Sequence, residues 1–320
     1  MPDGSVVIAS NGTLTLEQYD PLGAFMRAYG AAGRGPGEYQ YLELVRTGST
    51  ASLVTFDAMA GRVITRDSVG RVTATAGMPP RLRPIFRYHD GSWLARIYGG
   101  LPSPTASGST RTTARLLRLQ LPTDTLATLG PFPAEDFVMR RGPNGPTGNE
   151  VPLGRRLLVA AMESTIVVAP TGEYEFRLVS PRGELQRIVR VDRERPLLSE
   201  AFRRAFRDSV LERFGRDDYG KREWTLLTDA DVLPTQLSAF DGLVVGRDDH
   251  LWIRDAQVPP RRATVWHRFS RDGTPDSRLR YDGNADLLDA TATHLLLLVR
   301  DELDREHVLL LRYRSAQGAA

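Results

Sequence analysis

The segment Arg62–Arg66, Asp67-Ser68-Val69-Gly70, Arg71–Thr75 decides the fold: a short run, a four-residue turn ending in glycine, and a second short run. Aspartate at the first turn position accepts hydrogen bonds from amides further along the turn, and glycine at the last position tolerates a positive φ. Because β-favouring runs flank the turn on both sides, the segment predicts a β-hairpin.

The same hairpin pattern recurs along the chain. Its other turns are Asp20–Gly23, Ser180–Gly183, Ser270–Gly273 and Ser315–Gly318, with a degenerate copy around Pro122–Asp124. Most successive turns are separated by intervals from the mid-forties to the high fifties, and only the interval between Gly183 and Gly273 is much longer. Six copies predict six structural units, with an insertion in the long interval.

A second, weaker turn lies one strand upstream of several hairpins, at Asp3-Gly4-Ser5, Asp90-Gly91-Ser92 and Asp248-Asp249-His250. Further short apolar runs precede these turns, so each unit consists of four consecutive antiparallel strands. Four such strands per repeat are typical of a propeller blade. The sequence therefore predicts an all-β fold, a six-bladed β-propeller that forms a single domain over residues 1–320.

The long interval contains a segment with helical periodicity. Apolar residues recur at helical spacing over Leu197–Phe214, with Ser199 as a candidate N-cap and Gly215 as a stop. We expect one amphipathic helix, inserted at about residues 197–215, which packs its aromatic side on the propeller or serves as a lid. The Gly- and Pro-rich stretch Arg141–Gly154 is expected to be an exposed loop.

The first unit begins at its second strand, near Ser5–Ala9, and the sixth stops after its third strand. An open sheet edge invites aggregation, so propellers usually close by pairing their termini. We expect the natural chain to extend upstream by about two strands and an export signal, which would make the protein periplasmic or extracellular. If Met1 is the true start, a cytoplasmic location follows; alternatively, the termini pair differently.

Composition excludes several classes of protein. The net charge is +3, and Lys221 is the single lysine among 42 basic residues, which are interleaved with 39 acidic ones rather than clustered as in nucleic-acid binders. The absence of cysteine excludes disulfides and thiol catalysis. No run of 18 apolar residues occurs, so we predict no membrane span. Because the basic residues are interleaved with acidic ones, we predict no nucleic-acid partner. We also expect a monomer.

The run Gly33-Arg34-Gly35-Pro36-Gly37-Glu38-Tyr39 lies between the first and second units. It must carry the chain from the rim of the propeller back to the central channel, and its glycines allow the backbone to cross closely over the blade. Tyr39 is expected to anchor this return. Arg34 and Glu38 are candidate binding residues at the channel mouth.

This run, preceded by Asp20–Gly23 and Tyr29-Gly30, resembles the Gly-x-Gly-x-Gly-Pro-Gly-Glu-Phe signature of bacterial six-bladed β-propeller proteins related to NHL repeats. The sequence departs from that pattern at Ala31, which replaces the first glycine, and at Tyr39, which replaces phenylalanine. The segment Leu251–Arg254 resembles a late-blade pattern of the same proteins. The resemblance implies the fold and an envelope location, and it implies no catalytic residues.

Two kinds of site residue remain as hypotheses. Arg62, Arg96 and Arg254, from different blades, would bind an anionic small molecule if their side chains share one face, or else form salt bridges at the rim. Carboxylates near the ends of inner strands would form a calcium or lactonase-type site if they converged; these are Glu43, Asp57, Glu163, Asp241 and Asp289.

The sequence favours a binding or scaffold module that presents loops to a protein or an anionic small molecule. We assign no cofactor, no metal and no catalytic residue, because none of the five histidines forms a metal-binding pair and no nucleophile elbow occurs. A metal-dependent lactonase- or lyase-type enzyme is the alternative. Convergent acidic residues would favour the enzyme, and an apolar or arginine-lined channel would favour binding.

Overall fold

Antiparallel strands follow one another along the chain in a computed structural model, which describes residues 1, 3–48, 52–97, 108–122, 124–142, 145–258, 263–301, 303 and 305–313. The first unit contains β1 (Val6–Ser10), β2 (Thr15–Tyr19) and β3 (Phe25–Tyr29). The second contains β4 (Leu42–Thr47), β5 (Ser52–Asp57), β6 (Arg62–Asp67) and β7 (Val72–Gly77). The third contains β8 (Leu82–Arg87), β9 (Trp93–Ile97), β10 (Gly108–Gln120), β11 (Asp124–Gly142) and β12 (Gly145–Glu150).

The second half of the chain repeats this arrangement. The fourth unit contains β13 (Leu157–Ala161), β14 (Ile166–Pro170), β15 (Glu175–Val179) and β16 (Leu185–Arg190). Helices α1 (Glu200–Phe214) and α2 (Asp218–Leu227) follow. The fifth unit contains β17 (Phe240–Val245), β18 (Leu251–Asp255), β19 (Thr264–Phe269) and β20 (Pro275–Tyr281), and the sixth contains β21 (Ala285–Ala290), β22 (His294–Arg300) and β23 (Glu306–Arg312).

Each unit is a sheet in which strands pair with their neighbours in sequence. The second and third sheets meet through a short parallel contact between their first strands, which pairs Arg46 with Phe86 and Thr47 with Arg87. Five of the six first strands lie around a central channel as inner strands: β4, β8, β13, β17 and β21. The protein is an all-β propeller, which confirms the predicted fold class, and its described strands group into six units.

The hairpin turns confirm the sequence pattern that predicted them. At Asp67, the carboxylate accepts the amides of Val69 at 3.0 Å and Arg71 at 2.8 Å, and Gly70 has a φ of +88°. Where serine replaces aspartate, the Ser180 hydroxyl accepts the amide of Glu184 at 3.1 Å. The sixth predicted turn, Ser315–Gly318, lies outside the described residues.

Adjacent blades are held together by apolar side chains between their sheets. Between the fourth and fifth blades, the rings of Phe176 and Phe269 meet edge to face with centroids 5.1 Å apart, and Tyr174 meets Phe240 in the same way at 5.3 Å. Such contacts add to the free energy of burying the rings. Every blade therefore depends on its neighbours to cover its two faces.

The run at residues 33–39 crosses between the first and second blades as predicted. The Gly33 amide donates to the Tyr39 carbonyl at 3.0 Å, and the Gly35 amide donates to the Glu38 carboxylate at 2.7 Å. Tyr39 is fully buried, and its hydroxyl contacts that of Thr55 at 2.9 Å. The expected anchoring role of Tyr39 is confirmed.

The insertion contains two helices rather than the single one expected. The first agrees with the sequence, because the Ser199 hydroxyl accepts the Phe202 amide at 3.1 Å and the helix ends at Gly215. Asp217 caps the second helix by accepting the Gly220 amide at 2.6 Å. The rings of Phe214 and Trp224 stack at 5.1 Å and connect the two helices.

The third blade departs from the repeat in its outer strands. Residues 108–142 form a long ribbon of β10 and β11, and part of the expected loop Arg141–Gly154 is the paired strand β12. Register shifts beside Thr113 accommodate Pro133 within the ribbon. The apolar cluster of Val138, Val151 and Leu227 joins this extension to α2.

The inner strands give the propeller two distinct ends. Connectors from an outer strand reach the beginning of the next inner strand, at what we call the connector face; the helices of the insertion belong to such a connector. Inner strands end in tight turns at the opposite side, the turn face. Across the described parts of the chain, neither helix is both long and apolar enough to cross a lipid bilayer.

We expect the Gly30→Ala variant to lower the free energy of unfolding by about 2 kcal/mol. Gly30 has a φ of +91°, and an added Cβ would lie 2.8 Å from the Tyr39 ring. Gly77→Ala is the matched control, since its Cβ would meet no atom within 4 Å. Urea unfolding of both variants measures the difference; equal stability would contradict this account of the connector.

Candidate functional site

The central channel forms a concave cavity with a volume of about 730 Å³. Each of the five inner strands contributes an aliphatic side chain to its lining, which also contains charged and polar groups such as Asp289 and His294. The aliphatic residues include Leu44, Ile85, Val159, Leu243 and Leu288. A volume in this range is typical of ligand-binding cavities, which are mostly apolar with a few polar groups.

The channel wall is incomplete on one side. The first blade contributes β1 to the wall, and β1 pairs with β2 alone, so no inner strand lies beside it among the described residues. On either side of this opening, Leu44 and Leu288 are 43% and 42% exposed. The channel is therefore a groove with an apolar opening between the sixth and second blades.

A cluster of charged residues lies where the groove reaches the turn face. The Arg46 guanidinium contacts the Asp289 carboxylate at 3.2 Å and donates to the Gly246 carbonyl at 2.6 Å. Arg247 contacts the same carboxylate at 2.8 Å. Burial lowers the pKa of Arg46; Asp289 opposes that shift and Arg247 adds to it. Two cations thus share one anion at the end of an apolar groove.

Arg34, Glu38 and Arg62 lie together at the connector face. The Arg62 guanidinium donates to the carbonyl of Arg34 at 3.1 Å and to that of Glu38 at 2.8 Å. It also lies 3.7 Å from the buried carboxylate of Asp57. These contacts use Arg62 to hold the connector in place.

Arg96 and Arg254 belong to two other blades of the same face. Arg96 contacts Glu135 at 2.6 Å, whereas Arg254 is paired with both Asp241 and Asp286. Burial acts to lower the pKa of Arg254, but the two carboxylates outweigh it and the pKa is raised. The five predicted binding residues thus share a face without forming one cluster, and their role in ligand binding stays a prediction.

The candidate metal-binding carboxylates are distributed over both ends of the propeller. Asp57 accepts the amides of Gln40 at 3.1 Å and Tyr41 at 3.2 Å. Glu163 accepts the amide of His89 at 3.0 Å. The remaining three each face arginine: Glu43 faces Arg83, Asp241 faces Arg254, and Asp289 faces Arg46 and Arg247. Over the described ranges, no three acidic or histidine side chains come together as metal ligands.

Sequence reasoning selected Asp289 for a different role and missed Arg46 and Arg247. Arg46 lies near the end of β4, and Arg247 lies in the turn after β17. Both positions end an inner strand, so this shared location is the signal that could have found them.

No family model and no curated protein matches the sequence. Among solved structures, a Bacteroides fragilis protein described as exported is similar over 93% of this chain and 77% of its own, with 11% identity and a TM-score of 0.53. At that identity, the likeness concerns the fold alone.

Two lyases are more distant in structure. Streptogramin B lyase matches over 99% of this chain and 83% of its own, with 11% identity and a TM-score of 0.44. A virginiamycin B lyase from Staphylococcus aureus matches over 92% and 73%, with 9% identity and a TM-score of 0.40. Similarity at these scores carries no argument about activity.

We expect Asp289→Asn to destabilise the protein by about 2 kcal/mol, since charged hydrogen bonds contribute at this level. The change would leave Arg46 and Arg247 facing each other without an anion. Asp282→Asn is the control, because Asp282 is 84% exposed and pairs with Arg280 at the surface. Urea unfolding compares the two; the account fails if they lose equal stability.

Proposed function

We propose that the protein is a non-catalytic binding module whose ligand or protein partner docks in the groove formed by the open channel. The observation that carries this proposal is the apolar opening, where Leu44 and Leu288 remain 43% and 42% exposed at the edge of a cavity of about 730 Å³. Leucine exposed beside a concave site is typical of a surface that another molecule covers.

The charges at the turn face support the same proposal. Arg46 and Arg247 surround one carboxylate, so the end of the groove favours an anionic group on an otherwise apolar ligand. Most of the wall is aliphatic, and the Asp289 carboxylate in the lining is paired with Arg46 and Arg247. An amphiphilic ligand, or a peptide that carries a carboxylate, fits both features.

We further propose an envelope location, periplasmic or extracellular. The resemblance of residues 33–39 to NHL-related bacterial propellers supports this location. The similarity to a Bacteroides fragilis protein described as exported is compatible with it. Immunodetection of the native protein in periplasmic and cytoplasmic fractions of its source bacterium tests the location.

The dye 1-anilinonaphthalene-8-sulfonate is a suitable probe, because it combines an apolar ring system with an anionic group. We expect it to bind the folded protein with increased fluorescence, and Leu288→Glu to weaken that binding at least tenfold by placing a negative charge in the opening. Leu303→Glu is the matched control, since Leu303 is 72% exposed outside the groove. Near-ultraviolet circular dichroism verifies that each variant is folded.

Equal binding of the dye by the protein and its Leu288→Glu variant would contradict the proposed site. So would the absence of any fluorescence change with the folded protein.

Calcium distinguishes the proposal from a metal-dependent enzyme. We expect excess Ca²⁺ and EDTA to leave Tm unchanged within about 1 °C, since an ion that prefers the folded state must raise Tm by mass action. A rise with Ca²⁺ that EDTA reverses would favour the lactonase- or lyase-type alternative. Differential scanning calorimetry provides the measurement.

A further inference from the structure

We propose that the opening beside β1 is a β-strand acceptor. An extended segment of a partner polypeptide, apolar on alternate residues, pairs with β1 as the inner strand of the first blade. This inference rests on the proposed function, since it names the class of partner that the groove binds. Addition of a strand to an exposed sheet edge is a general mode of peptide recognition.

The exposure of β1 is the first observation. Its five residues, Val6–Ser10, are all only partly buried. The second strands of complete blades differ: all five residues of β18 are buried, and four of the five in β14. Among the described residues, β1 has neither a strand on its inner edge nor full cover for its side chains, and a paired strand would provide both.

The walls beside the opening have the chemistry of a strand-binding groove. Leu44 of β4 and Leu288 of β21 are exposed, whereas the channel-lining residues Ile85, Val159 and Leu243 of the other inner strands are half-buried. Alternate side chains of an added strand would point toward these leucines. The partner therefore needs aliphatic residues at alternate positions.

The backbone before β1 already has the geometry that joins an inner strand to a second strand. In the turn between β8 and β9, the Gly91 amide donates to the Tyr88 carbonyl at 3.0 Å. At β1, the Gly4 amide donates to the Met1 carbonyl at 3.1 Å, and the φ of Gly4 is +82° against +81° for Gly91. β1 thus occupies a second-strand position, and no strand in the described part of the chain fills the inner position beside it.

This geometry fixes the direction of the partner. Inner strands run antiparallel to second strands, from the connector face to the turn face. The C-terminal end of the partner segment therefore lies beside Arg46, Asp289 and Arg247. Since two guanidinium groups share one carboxylate there, a carboxylate at that end of the segment is favoured.

The probe is a synthetic heptapeptide that copies residues 155–161, Arg-Arg-Leu-Leu-Val-Ala-Ala, with an acetylated amino end and a free carboxylate. It reproduces β13, an inner strand of this protein. In the control peptide, proline replaces valine, so a ladder hydrogen bond is lost and the added strand is disrupted. A third peptide has the same sequence and an amidated C-terminus.

We expect the probe to displace the dye from the 320-residue protein and to slow hydrogen exchange of the amides in Val6–Ser10. The proline peptide should bind at least tenfold more weakly. Amidation of the peptide should weaken its binding to the unsubstituted protein several-fold. The Arg247→Gln variant should bind the free-carboxylate and amidated peptides equally. Leu288→Glu should reduce affinity at least tenfold, while Leu303→Glu should leave it unchanged.

Three results would overturn the inference. Equal binding of the valine and proline peptides, or no binding, would exclude strand pairing; the proposed function would still stand if Leu288→Glu blocked the dye. Protection of β1 that depends on protein concentration, without peptide, would assign the edge to a second copy of this chain. Loss of peptide binding in a form with a longer amino-terminal segment would assign the groove to that segment.

Discussion

Closure of the ring is the constraint on which the rest of the structure depends. A blade has two faces, and each is buried only where another blade lies against it. Between the fourth and fifth blades this burial is complete enough to leave Phe176 and Leu251 without exposed surface. Beside the first blade, the same requirement is unmet at Leu44 and Leu288. The candidate site therefore lies where an inner strand is not covered by a neighbouring blade.

The repeated turns made the fold predictable because their chemistry is local. Asp67 and Gly70 specify their hairpin without reference to any other blade, and the recurrence of such turns along the chain indicates a propeller. The prediction failed where local signals mislead. Two elements were not predicted: α2, which contains Gly220 near its N-terminus, and the long strand β11, in which register shifts accommodate Pro133. In both cases tertiary packing outweighed local preference.

The site was less predictable because its residues are far apart in sequence. Arg46 and Asp289 belong to blades two and six, and nothing in either local sequence indicates that they are in contact. Acidic and basic residues were selected by strand position, but the partner that satisfies each charge depends on the register between strands. Arg62 illustrates this limit: its contacts with carbonyl groups of the connector and with Asp57 depend on the fold and are not evident from its own segment.

The direction of the inner strands separates the two ends of the molecule. The helical insertion joins the end of β16 to the beginning of β17, so it belongs to the connector face, as do Arg34, Glu38, Arg62, Arg96 and Arg254. The Arg46–Asp289–Arg247 cluster lies at the ends of inner strands, on the turn face. Changes in the connectors can therefore alter one face while the groove, which is built from strands, keeps its geometry. A binding module gains from this separation, since a rigid strand-built groove can hold a partner while the opposite face varies.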